Sequence, residues 1–161
     1  RSYDPVFKVN PPLRTESDVM ALREALADGT IDIVATDHAP HPAETKECEW
    51  QEASFGMLGL ETALSIVNKT MVETGLMNWS TVAERMSYAP ARIGRYSHQG
   101  QELAVGAPAH IAVMDPTQLF RVDRDLVASR SRNTPFHGME LPGRILATIF
   151  AGRVVFEGSH A

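Results

Sequence analysis

Asp37, His38 and His41 fall within five residues of one another in the run Ala35-Thr36-Asp37-His38-Ala39-Pro40-His41. A carboxylate with two imidazoles nearby can ligate a metal, move a proton, or do both. Metal-dependent hydrolysis needs both functions: a cation that polarises a carbonyl and lowers the pKa of water to about 7, and a group that carries the proton. A catalytic zinc takes three or more protein ligands. In strand geometry Asp37 and His38 point to opposite faces, so the run is short of donors as a self-contained zinc site. His38 reads better as a structural side chain bonded to a backbone carbonyl. For His41, a polar loop residue and an anion-binding residue are both open readings.

The element that must position Asp37 lies directly before it. Ile31-Asp32-Ile33-Val34 is a short β-branched apolar run and reads as a buried strand. Asp37 would then sit at a strand's C-terminal end, where parallel α/β folds carry their chemistry. Upstream, Val6 to Val9 reads as another strand, stopped by Asn10-Pro11-Pro12. Asn10 is thus a second strand-end polar residue, and taken alone it reads as a turn residue. Between the two runs, Thr15 to Ala27 reads as a helix, with a Thr15/Asp18 cap, Gly29 as its stop, and Val19, Leu22 and Leu26 on one face. Strand, helix, strand is the βαβ pattern, with parallel strands.

After His41, residues Pro42 to Ser54 form a polar loop that suits either a solvated surface or an active-site rim. Phe55-Gly56 opens an apolar helix carrying Leu58, Leu60, Leu64 and Val67, which leaves Gly56 near a helix N-terminus whose amides can face a ligand. Asn78 or Ser80 caps a further helix with Val82 and Met86, and Pro90 starts another. From Gly100 the texture changes to short strand-like runs at Glu102 to Gly106, His110 to Met114 and Arg144 to Val155. A boundary near Gly94 to Gly100 divides the chain into an α/β region, 1–97, and a smaller β module, 98–161.

Composition narrows the classes. The net charge of −5 argues against a nucleic-acid or anionic-membrane partner. No apolar run approaches the ~18 residues of a membrane span. Cys48 is the single cysteine, which excludes an intrachain disulfide and fits a reducing cytoplasm; it lacks a basic neighbour and reads as an inert thiol. His98, His110, His137 and His160 lack metal-ligand spacing and read as surface or structural residues. There is no glycine-rich phosphate loop. The opening Arg1-Ser2-Tyr3-Asp4 is not a start signal, and the chain is expected to be the C-terminal portion of a longer protein.

Three ordered motifs carry a resemblance. Lys8-Val9-Asn10-Pro11-Pro12-Leu13-Arg14, then Ala35 to His41, then Phe55-Gly56-Met57-Leu58-Gly59-Leu60-Glu61 resemble the last part of a bacterial class I dihydroorotase of the amidohydrolase superfamily. The stretches Leu103 to Ala112 and Ser131 to Gly143, with Asn133-Thr134-Pro135-Phe136, resemble the closing segments of that family. The resemblance implies an α/β fold: the C-terminal part of a metal-dependent-hydrolase (β/α)8 TIM barrel plus part of a composite β-sandwich. It implies the reversible cyclisation of N-carbamoyl-L-aspartate to L-dihydroorotate in pyrimidine synthesis, with one or two Zn2+ ions. Carried over by motif, Asp37 is a metal ligand and the proton shuttle to the ring nitrogen. Asn10 bonds the substrate ring, His41 contacts its carboxylate, and Phe55 and Gly56 give backbone contacts. The family's His-x-His pair, its bridging ligand and its middle histidines have no counterpart here, so activity is expected only with the N-terminal portion of the same protein. A homo-oligomer or aspartate transcarbamoylase is the further partner implied. Two other readings stay open: a related cyclic-amide hydrolase, allantoinase or dihydropyrimidinase, and a non-catalytic subunit that scaffolds aspartate transcarbamoylase.

Overall fold

The structure is a computed structural model and describes residues 3–158; His160, assigned above to the surface, lies outside the described residues. The chain begins with a 3-10 turn at Pro5–Phe7, where a strand was predicted over Val6 to Val9. Two local effects decide this. Pro5 sets its own φ, and the Asp4 carboxylate accepts from the Val6 amide at 2.9 Å, as a helix cap does.

Helix α1, Glu16–Asp28, forms with the ends the sequence dictates; of its expected apolar face Leu26 packs on the core, while Leu22 stays exposed. Thr15 accepts from the Asp18 amide, the Asp18 carboxylate accepts from the Thr15 amide at 3.0 Å, and Gly29 ends the helix in the left-handed conformation. Ile31 to Val34 carries no strand ladder. Its amides go elsewhere: Ile31 N–H donates to Ala25 O and Val34 N–H to Arg85 O. A strand exists only through its neighbours, and among the described residues no neighbouring strand pairs with this segment. The parallel βαβ pair expected around α1 is therefore not formed within them. The parallel contact that does form is a single bridge between His38 and Met57.

A one-turn helix α2, Ala43–Lys46, follows. Helix α3, Ala63–Val67, runs on into a π-helical turn, Asn68–Val72. It starts later than the apolar pattern predicts, and Leu58, Leu60 and Gly56 lie outside it. The reason is tertiary: the Leu58 amide donates to Asn133 O, and the Gly59 and Leu60 amides donate to His38 Nδ1. Asn78 caps helix α4, Trp79–Ala83, by accepting from Thr81 N–H at 2.9 Å. A second π-helical turn, Glu84–Tyr88, joins α4 to α5, Ala89–Gly94, so Pro90 lies within a continuous helical stretch. Val67, Met71, Met77 and Val82 form the buried core, with Leu26, Val34, Leu64 and Met86 packed on it.

The C-terminal part is an antiparallel sheet in the order β1-β2-β3. The strands are β1 at Ile111–Arg121, β2 at Glu140–Phe150 and β3 at Arg153–Glu157. The predicted run from Arg144 to Val155 is thus two strands. Ala151 and Gly152 turn between them with φ of 49° and 77°, the paired positive values that suit a two-residue hairpin. Glu102 to Gly106 is not a strand: Ala107 N–H closes a turn onto Ala104 O, and Leu103 and Val105 are exposed. The sheet is bonded to α3 and its extension. Ser65 Oγ donates to Gly143 O at 2.8 Å, and Asn68 Nδ2 to Pro116 O at 2.9 Å.

Candidate active site

Asp37 stands at the end of the Ile31 to Thr36 segment, exposed, with φ of 43°. A non-glycine residue in left-handed backbone costs of order 1–3 kcal/mol and persists where its surroundings over-determine it. Those surroundings are a zipper between residues 38–41 and 55–60. Ala39 N–H donates to Met57 O at 3.0 Å. His38 Nδ1 accepts from the Gly59 amide at 3.2 Å and the Leu60 amide at 3.3 Å. His38 is structural, as predicted, but it is an acceptor for amides and not a donor to a carbonyl, which leaves its proton on Nε2. The His41 Nε2 lies 2.8 Å from Phe55 O, and as a donor this nitrogen satisfies that carbonyl.

Gly56 has φ of 134° and lies against this zipper so closely that a Cβ would sit 2.6 Å from Ala39 Cβ and 3.0 Å from His41 Nε2. Its contribution is close backbone approach, not the helix N-terminus foreseen in the sequence. His41, Phe55 and Gly56 are therefore brought together beside the Asp37 turn. Two residues before Asn10, Lys8 O accepts from the Gly56 amide at 2.9 Å; Asn10 itself is exposed and lines neither hollow beside these residues. His41 and Phe55 nonetheless open onto different hollows. His41 lines a cavity of about 580 Å³ with Lys46, Arg124, Arg132 and His137. Phe55 lines another of about 890 Å³ with Lys8, Leu13, Arg14 and Trp50.

Three residues that sequence reasoning passed over hold this assembly. Lys46, 4% exposed, donates to Lys8 O at 3.1 Å and Ser54 O at 2.9 Å. Lys8, also buried, donates to Trp50 O and Gln51 O, with its ammonium 4.7 Å from the centre of the half-exposed Phe55 ring. The loop after His41 is thus clamped onto the Asn10 segment by two lysines. Burial, and then the neighbouring Lys8 charge, hold the Lys46 ammonium below the usual lysine range. The third is Asn133, 6% exposed, whose side chain bonds both arms of the zipper. A polar loop lysine gives no sequence signal for burial. Asn133 had one, its place in the Asn-Thr-Pro-Phe segment, but no role attached to it.

Among the described residues no cluster of three or more His, Cys, Asp or Glu could hold a metal ion. His38 Nδ1 and His41 Nε2 are already engaged. Asp37 can supply one carboxylate to a shared site, and the described chain does not make a metal site by itself. No helix among the described residues is long and apolar enough to cross a membrane.

Comparison with known proteins gives the context. A dihydroorotase from Streptomyces coelicolor is 61% identical over 153 residues, 95% of this chain and 36% of the relative. One from Mycobacterium tuberculosis is 54% identical over 153 residues, again 95% of this chain and 36% of the relative. Among solved structures, an L-hydantoinase (dihydropyrimidinase) from Arthrobacter aurescens matches with a TM-score of 0.88 at 34% identity, covering 96% of this chain and 35% of that one. A D-hydantoinase (dihydropyrimidinase) from Thermus matches with a TM-score of 0.85 at 25% identity, covering 95% and 34%. The chain therefore spans about a third of the length of the proteins it resembles. Its helices and small antiparallel sheet are part of a TIM-barrel amidohydrolase fold. The family is one of generally metal-dependent enzymes. The amidohydrolase family pattern matches residues 9–155, nearly the whole length, and the chain belongs to the amidohydrolase family.

Proposed function

We propose that this chain is the C-terminal part of a dihydroorotase, which interconverts N-carbamoyl-L-aspartate and L-dihydroorotate and is active only together with its N-terminal portion. The observation that carries the proposal is Asp37: an exposed carboxylate held in left-handed backbone by a zipper that also gathers His41, Phe55 and Gly56. The likeness to dihydroorotases at 61% and 54% identity supports it.

In this reading Asp37 gives its proton to the ring nitrogen as the amide opens and takes it back as the ring closes. Zinc, one ion or two, held by Asp37 and by donors outside this chain, would supply carbonyl polarisation and an acidified water. His41 contacts the substrate carboxylate. Asn10 offers an amide to the ring, and the Phe55-Gly56 backbone borders it. The proposal extends to organisation: residues 1–97 end the barrel and 98–161 belong to a β-sandwich. It also extends to a cytoplasmic setting, and to assembly as a homo-oligomer or with aspartate transcarbamoylase. A related cyclic-amide hydrolase is the second reading, favoured by the TM-score of 0.88 to an L-hydantoinase.

Assaying the complete protein with L-dihydroorotate, allantoin and a dihydropyrimidine separates these readings. Preference for L-dihydroorotate is the expected result. Preference for another substrate overturns the assignment, and an inactive complete protein with zinc supplied favours a scaffolding subunit. Robust turnover by residues 1–161 alone overturns the requirement for the N-terminal portion.

A further inference from the structure

Asn133 lies in the loop between β1 and β2, far in sequence from every residue assigned to the site. That loop is fastened over the zipper. Glu61 accepts from the Ala128 amide at 3.0 Å and the Ser129 amide at 3.2 Å, and Asn133 O accepts from Leu58 N–H at 3.1 Å. Thr134, beside it, is 5% exposed. The Asn133 side chain then enters between the two arms. Its Nδ2 donates to Ala39 O at 2.9 Å and to Gly56 O at 3.3 Å, while its Oδ1 accepts from the His41 amide at 3.3 Å. Two carbonyls facing the nitrogen and one amide facing the oxygen fix the orientation of the group.

We infer that Asn133 is a positioning residue for the substrate-facing side of the site, setting the backbone of His41 and Gly56 against each other. This rests on the proposed dihydroorotase reading and adds to it a residue from the β module. The division of labour follows from the bonds. Asp37 keeps its own braces without Asn133, through His38 to the Gly59 and Leu60 amides and through Ala39 N–H to Met57 O. The His41 amide and the carbonyls of Ala39 and Gly56 do not keep theirs. Loss of Asn133 therefore falls on substrate binding more than on proton transfer.

The test is steady-state kinetics of the complete protein as wild type, Asn133→Ala and Asn133→Asp, with hydrogen exchange of the 37–41 and 55–58 segments on the same samples. Asn133→Asp has nearly the same shape but turns an acceptor toward two carbonyls. Both variants are expected to raise KM for L-dihydroorotate roughly tenfold, with kcat changed only a few-fold. The His41 amide exchanges faster in Asn133→Ala and keeps its acceptor in Asn133→Asp. A kcat loss at unchanged KM, or activity that merely tracks the folded fraction, overturns the inference. So does unchanged exchange at His41 in Asn133→Ala. Failure of the wild type to turn over dihydroorotate instead indicts the functional reading, and the exchange data still report whether Asn133 braces the two arms.

Discussion

Gly56→Ala probes the zipper at its tightest point. The new Cβ would stand 2.6 Å from Ala39 Cβ and 3.0 Å from His41 Nε2. Carbon atoms in favourable contact sit about 3.5–4.0 Å apart, so the first distance is a hard overlap. Relieving such an overlap costs about 1–3 kcal/mol. The φ of 134° adds to it, since a side chain in sparsely populated backbone costs of order 1–3 kcal/mol. Reduced freedom of the unfolded chain returns about 0.4–1 kcal/mol. The net expectation is a destabilisation of about 1–6 kcal/mol, concentrated where residues 38–41 meet 55–58. Native-state hydrogen exchange of the Ala39 amide, which donates to Met57 O at 3.0 Å, reads it locally, and urea unfolding reads it globally. Removing the opposing methyl separates the two causes. In an Ala39→Gly background the overlap is relieved and the backbone strain is not, so the double-mutant cycle should give a favourable coupling of about 1 kcal/mol or more. A Gly56→Ala protein within about 0.5 kcal/mol of its parent, or a coupling near zero, refutes the close approach.

Other consequences are local. Thr15→Ala removes the hydroxyl of the capping box and should destabilise α1 by about 1 kcal/mol, read by helical circular dichroism or by exchange in residues 16–20. The Thr15 hydroxyl and then its amide hold the Asp18 carboxyl below the usual range. Stability from this pair is therefore present above the unfolded carboxylate value and is lost as pH falls through the lower folded value. In Thr15→Ala the Asp18 titration, followed by NMR, should move back toward 3.8. Lys46 gives the opposite limb. Its pKa is depressed in the folded state, so between that value and the ordinary 10.5 the unfolded chain binds more protons and stability rises with pH. Lys46→Met should abolish that alkaline rise in a pH series of unfolding curves.

What could be read from the residues, and what could not, divides along the range of the forces involved. Helix α1 was legible because Thr15, Asp18 and Gly29 decide its ends within a few residues. The Ile31 to Val34 strand was legible only as a tendency, because a ladder needs neighbours, and the described residues supply none beyond the His38–Met57 bridge. The late start of α3 was hidden for the same reason: the amides of residues 58–60 are taken by Asn133 and His38, which lie far away in the chain. At the site, Asp37, His41 and Gly56 stood out by residue type and motif. Their supports did not. Lys46 looks like one charge among many in a polar loop, yet it is buried because the carbonyls of Lys8 and Ser54 turn inward to meet it.

The most direct test of the account is turnover of L-dihydroorotate by the complete protein, as wild type and as Asp37→Ala. The account predicts activity in the wild type and a fall of about 10²–10⁴-fold or more in the variant, the scale expected when an acid–base group is removed. An Asp37→Ala protein that keeps its rate within a few-fold would contradict the role given to the residue about which the zipper is built.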